Sequence, residues 1–222
     1  MNVVVIAPHP DDEAIGCGGS IRLHADGGDR VVAVFLTSGE LGLKDRPREE
    51  AWRVREGEAA AAAEVLGIRS AAFLRFPDWF VEDHVAEAAA ALGPVLRREA
   101  PGLIYVPHAR EWHPDHRAAL HVVGRALGGI EGERPALRAY EVWTPMPEFD
   151  HVRDVTASMA AKLRAVRCYR SQLAGFRYDF AVRGLNRYRG ALAARCRFAE
   201  VFQEVLGELP GGATGNEAQV ST

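Results

Sequence analysis

Cysteine is scarce in this chain: Cys17, Cys168 and Cys196 stand alone, with no Cys-x-x-Cys pair. That excludes a disulfide framework and a thiolate zinc site. No apolar run approaches the roughly 20 residues of a membrane-spanning helix, so no membrane insertion is expected. Neither sign of charge dominates, with 27 Lys and Arg against 30 Asp and Glu and a net charge of −3. A general nucleic-acid or membrane-surface role is therefore not expected. No basic segment with a cleavage site precedes the first apolar run, and a reducing, cytoplasmic location is the expectation. A dinucleotide fingerprint is also missing. Gly16, Gly18 and Gly19 do not fit G-x-G-x-x-G, and they fall inside an expected helix. Close helix–sheet packing explains them better. What is present is ordinary for a globular protein: 222 residues, 48% apolar and 26% charged, enough for one domain with a full core.

The first two-thirds alternates short apolar runs with amphipathic stretches. Expected strands are Val3–Ala7, Val31–Thr37, Ala71–Phe76, Leu103–Pro107 and Ala139–Thr144. Expected helices are Glu13–Ala25, Glu49–Leu66, Val85–Glu99 and Pro114–Leu127, with Gly67 and Pro101-Gly102 as stops. This alternation predicts an α/β fold, a Rossmann-like, mostly parallel sheet with helices on both faces. Later, Ala157–Leu173 and Arg187–Leu206 read as helices, and Gly175–Asn186 as a loop or short hairpin over the site. Residues 1–206 are expected to form one domain. The polar, Gly-rich stretch 207–222 is expected to be a mobile tail.

Two clusters carry chemistry. His9-Pro10-Asp11-Asp12-Glu13 follows the first apolar run, and His113-Pro114-Asp115-His116 follows the fourth. Each falls where a buried strand ends, and in an open parallel sheet ligands bind outside the carboxyl ends of the strands. Acidic residues there could be simple helix caps. Capping does not account for His9 ahead of Pro10, or for two adjacent aspartates. Pro10 stiffens the turn, so that His9 and Asp12 can reach round it towards one point. Pro114 suits a first helical turn, with His113 near the cap and His116 on the same face. Two clusters with one His-Pro-Asp core, both at strand-to-helix junctions, predict a shared metal ion.

The stretches APHPDDEAIGCGG and HPDH resemble the LmbE-like (PIG-L-type) zinc-dependent N-deacetylases, which remove acetyl groups from N-acetylglucosamine units. The resemblance extends to Thr37-Ser38-Gly39-Glu40, Arg55-x-x-Glu58, Pro77-Asp78 and Ser171-Gln172. It implies that His9, Asp12 and His116 ligate zinc, that Asp11 is the general base, that His113 faces the carbonyl oxygen, and that Asp115 orients and tunes His113. Two imidazoles and a carboxylate suit zinc and leave a position open for water. Iron, cobalt and manganese are not excluded by such ligands. The leaving amine takes its proton from Asp11 or His113.

The implied partner is a small molecule or glycoconjugate bearing an N-acetyl group. Apolar positions in the late helices would suit a homo-oligomer. Competing readings are a zinc amidase acting on another acyl-amine or thiol conjugate, and a nucleotide- or sugar-binding Rossmann-like module without turnover. Glu40 and Asp78 follow strands on the same edge and could touch substrate or cap helices. Arg55 could pair with Glu58 on a helix surface or, by the resemblance, contact the sugar. His108 could line the pocket. Trp79 and Trp112 flank the expected mouth and could stack on a sugar ring. Glu111 adds a carboxylate beside the pocket that bears on substrate choice.

Overall fold

Strands β1 (Asn2–Ala7), β2 (Arg30–Thr37) and β4 (Leu103–Pro107) are almost wholly apolar because helices cover both faces of the sheet they form. The computed structural model describes residues 1–206. The expected tail, 207–222, lies outside the described residues. With β3 (Ser70–Phe76), β5 (Ala136–Tyr140), β6 (His151–Asp154) and β7 (Ala199–Glu204), these strands make a seven-stranded sheet in the order β3-β2-β1-β4-β5-β7-β6. Pairings among β1–β5 are parallel; β7 runs antiparallel to both β5 and β6.

Alternation along each strand sends neighbouring side chains to opposite faces. Val3, Val5, Ala7, Ala33, Phe35 and Tyr105 pack in one cluster with side chains from helices α1 (Asp12–Asp26), α2 (Arg48–Leu66) and α5 (Met159–Val166). Val4, Ile6, Val32, Val34, Leu36 and Ile104 pack against α3 (Val85–Glu99) and α4 (Pro114–Gly128). The chain lays β2 and β3 on one side of β1, then crosses to lay β4 and β5 on the other. The carboxyl ends of β1 and β4 therefore flank the point where strand order reverses.

Helix α1 lies close over the far half of the sheet, and two glycines permit it. A Cβ on Gly16 would collide with the Tyr140 ring, and one on Gly19 would stand 2.7 Å from Val155. The helix is broken at Cys17 (φ −133°, ψ 20°). Amides just beyond the break are met by the buried Glu200 of β7, which accepts from Gly19 N (2.8 Å), Ser20 N (2.8 Å) and Ser20 Oγ (2.6 Å). The Lys162 ammonium, fully buried, donates to the same carboxylate at 2.7 Å.

Several elements differ from expectation: β6 is not among the expected strands, and the expected helix Ala157–Leu173 is split into α5 and a short second helix. Strand β5 ends at Tyr140 and does not run to Thr144, because the amides of Val142, Trp143 and Thr144 bond the Glu111 carboxylate and not a neighbouring strand. Gly175–Asn186 is not a loop: α7 spans Tyr178–Arg189, after the short α6 (Arg170–Leu173) that follows a break beyond α5. Arg187–Leu206 is not one helix. After a wide turn at Gly190–Ala194 it becomes β7, whose Ala, Glu and Gln favour helix but whose Val201 and Phe202 are buried in the sheet. Tertiary burial overrides propensity there.

Lys162→Met leaves the buried Glu200 charge without its counter-ion. Removing one partner of such a pair costs about 3–5 kcal/mol. We expect the low end, because the backbone donors at Gly19 and Ser20 remain; urea denaturation measures it.

Candidate metal centre

The loop after β1 turns sharply at Asp11, whose φ of 125° and ψ of −27° are strained for a residue with a side chain. Three neighbours hold it. Asp11 N donates to Glu13 Oε2 (3.1 Å), and Arg55 Nη2 donates to Pro10 O (2.5 Å) and to Asp11 Oδ2 (3.3 Å). The other Glu13 oxygen meets the Tyr169 hydroxyl at 2.5 Å, with both residues buried. The turn starts α1 so that Asp12 Oδ2 accepts from His9 N at 2.8 Å. After β4, Pro114 opens α4 and His113 caps it, with His113 Nδ1 accepting from Asp115 N at 3.3 Å.

These turns bring His9 Nδ1, Asp12 Oδ2 and His116 Nε2 into a triangle whose three sides are each 3.2 Å. Asp12 and His116 are fully buried and His9 nearly so. A tetrahedral ligand set about 2.0 Å from zinc has edges of about 3.3 Å. The donor atoms therefore fit three corners of such a set with little adjustment. The nitrogens of His9, His113 and His116 lie within 4.8 Å of one another. His9 Nε2 faces away from the triangle, 3.1 Å from Asp78 Oδ1 and 3.1 Å from Asp115 Oδ2. Those carboxylates are themselves held by the amides of Leu41, Trp79 and Val81. Acceptors at Nε2 hold a proton there, so that a bound ion would meet His9 at Nδ1.

Electrostatics favour a cation at the triangle. Burial opposes charge on His9, but Asp115, Asp12 and Asp78 outweigh it and raise its pKa well above the ordinary value. Burial likewise opposes charge on His116, and Asp12 and Glu111 raise its pKa. Burial would lift Asp12, yet His116 and His9 hold it far below the usual carboxylate range. Asp11 is raised to about 6, chiefly by burial, with Arg55 pulling the other way and Asp12 reinforcing the rise. His113 is lowered to about 4 by burial and by the charge of His9 and His116. Its ring packs edge-on to Trp79 at 4.4 Å and lies 5.4 Å from Trp112. Neutral, and with Nδ1 occupied, it has its N–H at Nε2.

A cleft of about 830 Å³ opens beside the triangle, lined by His9, Asp11, Arg55, Asp78 and His113 among others. Trp79, Trp112, Trp143, Phe176 and Tyr178 form an aromatic wall along it. Other expected positions fall differently. The Asp115 carboxylate bonds His9 and the 79–81 backbone; it reaches His113 by its amide, which donates to Nδ1, and by its charge, which raises the His113 pKa against burial. Arg55 is 2% exposed and grips Pro10 and Asp11; its pairing with Glu58, 4.0 Å away, is present but largely buried and not on the helix surface. Asp78 lines the cleft through a bond to His9. Glu40 bonds Trp52 Nε1 and Asp78 N, bracing the rim from outside the cleft lining. His108 does not line the pocket: it is 2% exposed, and its ring nitrogens bond Thr144 O and Arg110 N. Sequence reasoning passed over Glu13 and Tyr169, which support the Asp11 turn. The only signal was an acid beyond the two that chemistry required.

The chain belongs to the PIG-L family, described as GlcNAc-PI de-N-acetylase, whose model matches residues 4–127. It is 35% identical over 191 residues to the diacetylchitobiose deacetylase of Thermococcus kodakarensis, an alignment covering 77% of this chain and 69% of that one. Among solved structures it resembles the conserved protein TT1542 from Thermus thermophilus, with a TM-score of 0.80, 33% identity and coverage of 92% of this chain and 94% of that one. It also resembles GalB, the 4-carboxy-2-hydroxymuconate hydratase of Pseudomonas putida, with a TM-score of 0.78, 26% identity and coverage of 94% and 97%. No described helix is long and apolar enough to cross a membrane.

Burial pushes the Glu13 carboxyl up to about 8, against the bonds from Tyr169 and the Asp11 amide. A raised folded-state pKa adds stability that is complete below the unfolded value and is lost as pH climbs through the folded one. The window thus runs from about 4.5 to about 8. In metal-free protein, Glu13→Gln mimics the protonated acid, and urea midpoints should fall less steeply with pH across this window than in the wild type.

Proposed function

We propose that this chain is a zinc-dependent N-deacetylase that hydrolyses the acetamide of an N-acetylglucosamine-type substrate. The supporting observation is the 3.2 Å triangle of His9, Asp12 and His116, with Asp11 beside it and free of it. Two nitrogens and one oxygen suit zinc, whereas magnesium prefers an all-oxygen set. Cobalt, iron or manganese could serve in the same ligands according to supply. The family and the Thermococcus deacetylase support an N-acetylated sugar as substrate.

His9, Asp12 and His116 would hold the ion. When bound, it supplies a Lewis acid that polarises the acetamide carbonyl and makes water acidic enough to ionise near pH ~7. Asp11, with its pKa near 6, takes the proton of the attacking water. Arg55 aims the Asp11 carboxylate, and the strained turn keeps it out of the ligand set. His113 offers its Nε2 proton to the carbonyl oxygen as charge develops there; a donor of this kind is worth about 3–4 kcal/mol. With the single N–H of His113 engaged, Asp11 returns its proton to the departing amine. The aromatic wall offers faces on which a sugar ring can stack.

Acetate release from N-acetylglucosamine and N,N′-diacetylchitobiose, with and without chelator, tests the reading. Likeness to a hydratase makes the bond that is cleaved the point at issue. Turnover without acetate, or turnover indifferent to chelator, overturns it. Asp11→Asn should keep the metal while kcat falls by about 10²–10⁴. His116→Ala should lose the metal, read by metal analysis after dialysis.

A further inference from the structure

Glu111 belongs to neither the expected ligands nor the cleft lining, yet it is among the most enclosed charges in the molecule, at 1% exposure. One of its oxygens, Oε1, accepts the three amides that β5 leaves unpaired: Val142 (2.8 Å), Trp143 (3.1 Å) and Thr144 (3.3 Å). That cradle fixes the direction of the other oxygen. Oε2 points at His116 Nδ1, 3.7 Å away. Neither atom has a hydrogen-bond partner among the described residues. The separation is that of an ion pair and is longer than a hydrogen bond. Buried polar atoms are rarely left unmatched, and here each faces the other. His108 is the other histidine nearby, with Nε2 3.5 Å from Oε1, but that nitrogen bonds Thr144 O at 2.8 Å.

We infer that Glu111 is a positioning residue that holds the proton of His116 at Nδ1, so that Nε2 presents its lone pair to the metal, and that it ties this ligand to the Trp143 side of the cleft. The inference rests on the reading of His9, Asp12 and His116 as a metal centre. It completes a pattern, because His9 is met on its outer nitrogen by Asp78 and Asp115. A carboxylate behind a ligating imidazole fixes its tautomer and strengthens it as a ligand. The same carboxylate cradles the backbone around Trp143, so ligand and aromatic wall share one anchor.

Anchor and charge can be separated, because a purely structural Glu111 needs only an acceptor for three amides. Glu111→Gln keeps that acceptor and turns an NH2 group towards His116. Nδ1 can then accept only by surrendering its proton to Nε2, the atom the ion needs. Glu111→Asp keeps the charge but shortens the reach, so the 142–144 amides are held less well. Zinc and cobalt affinities from chelator competition, and the melting temperature of each metal-free protein, should rank the two variants in opposite orders, with wild type first in both. Stability should fall in the order Glu, Gln, Asp, with the Gln variant within about 3 °C of wild type. Metal affinity should fall in the order Glu, Asp, Gln, with the Gln variant weakened about 10–100-fold. A Gln variant that binds zinc as well as the Asp variant, or better, overturns the inference. Wild-type protein that takes up no ion overturns the metal centre itself, and Glu111's role with it.

Discussion

Two imidazoles and a carboxylate pressed to mutual distances of 3.2 Å inside a protein are tolerable only if positive charge sits among them. Most of the surrounding architecture answers to that demand. The switch in strand order puts the ends of β1 and β4 side by side, so one loop from each can supply ligands. Pro114 and the His113 cap begin α4 where His116 turns inward. The unfavourable turn at Asp11, of a kind that costs about 1–3 kcal/mol, keeps one carboxylate out of the triangle while its neighbour enters. Glu13, Tyr169 and Arg55, all buried, hold that turn in place.

Much of this was legible in the linear text because it is local. Apolar runs bounded by Gly and Pro marked β1 to β4, and the His-Pro-Asp repeats marked the two strand ends. The end of β5 was not legible, since its amides are claimed by a glutamate from another loop. Nor was β7. Its Ala, Glu and Gln residues favour a helix, and only the burial of Val201 and Phe202 and the bonds of Glu200 with Lys162 and Ser20 make a strand the better choice. His108 illustrates the opposite error. A histidine at a strand end suggests chemistry, but backbone groups take both its nitrogens. Local patterns say where a side chain begins; which long-range partner claims it is decided by the fold.

The aspartates of the two repeats also divide their labour by environment more than by motif. Asp12 is held anionic by histidines, Asp11 is lifted by burial, and Asp115 is spent on backbone amides and His9. His113 is kept neutral beside two indoles, while His9 and His116 are drawn towards charge. Identical residue types a few positions apart thus differ in proton affinity, which acid–base work at one centre requires.

The break in α1 at Cys17 has a bearing on how the chain assembles. The helix that carries Asp12 is closed by Glu200, from the other end of the described chain. While synthesis is still under way, the amino-terminal ligands exist but the helix behind them lacks its clasp. The clasp forms only when β7, the last described strand, slots in between its two antiparallel neighbours.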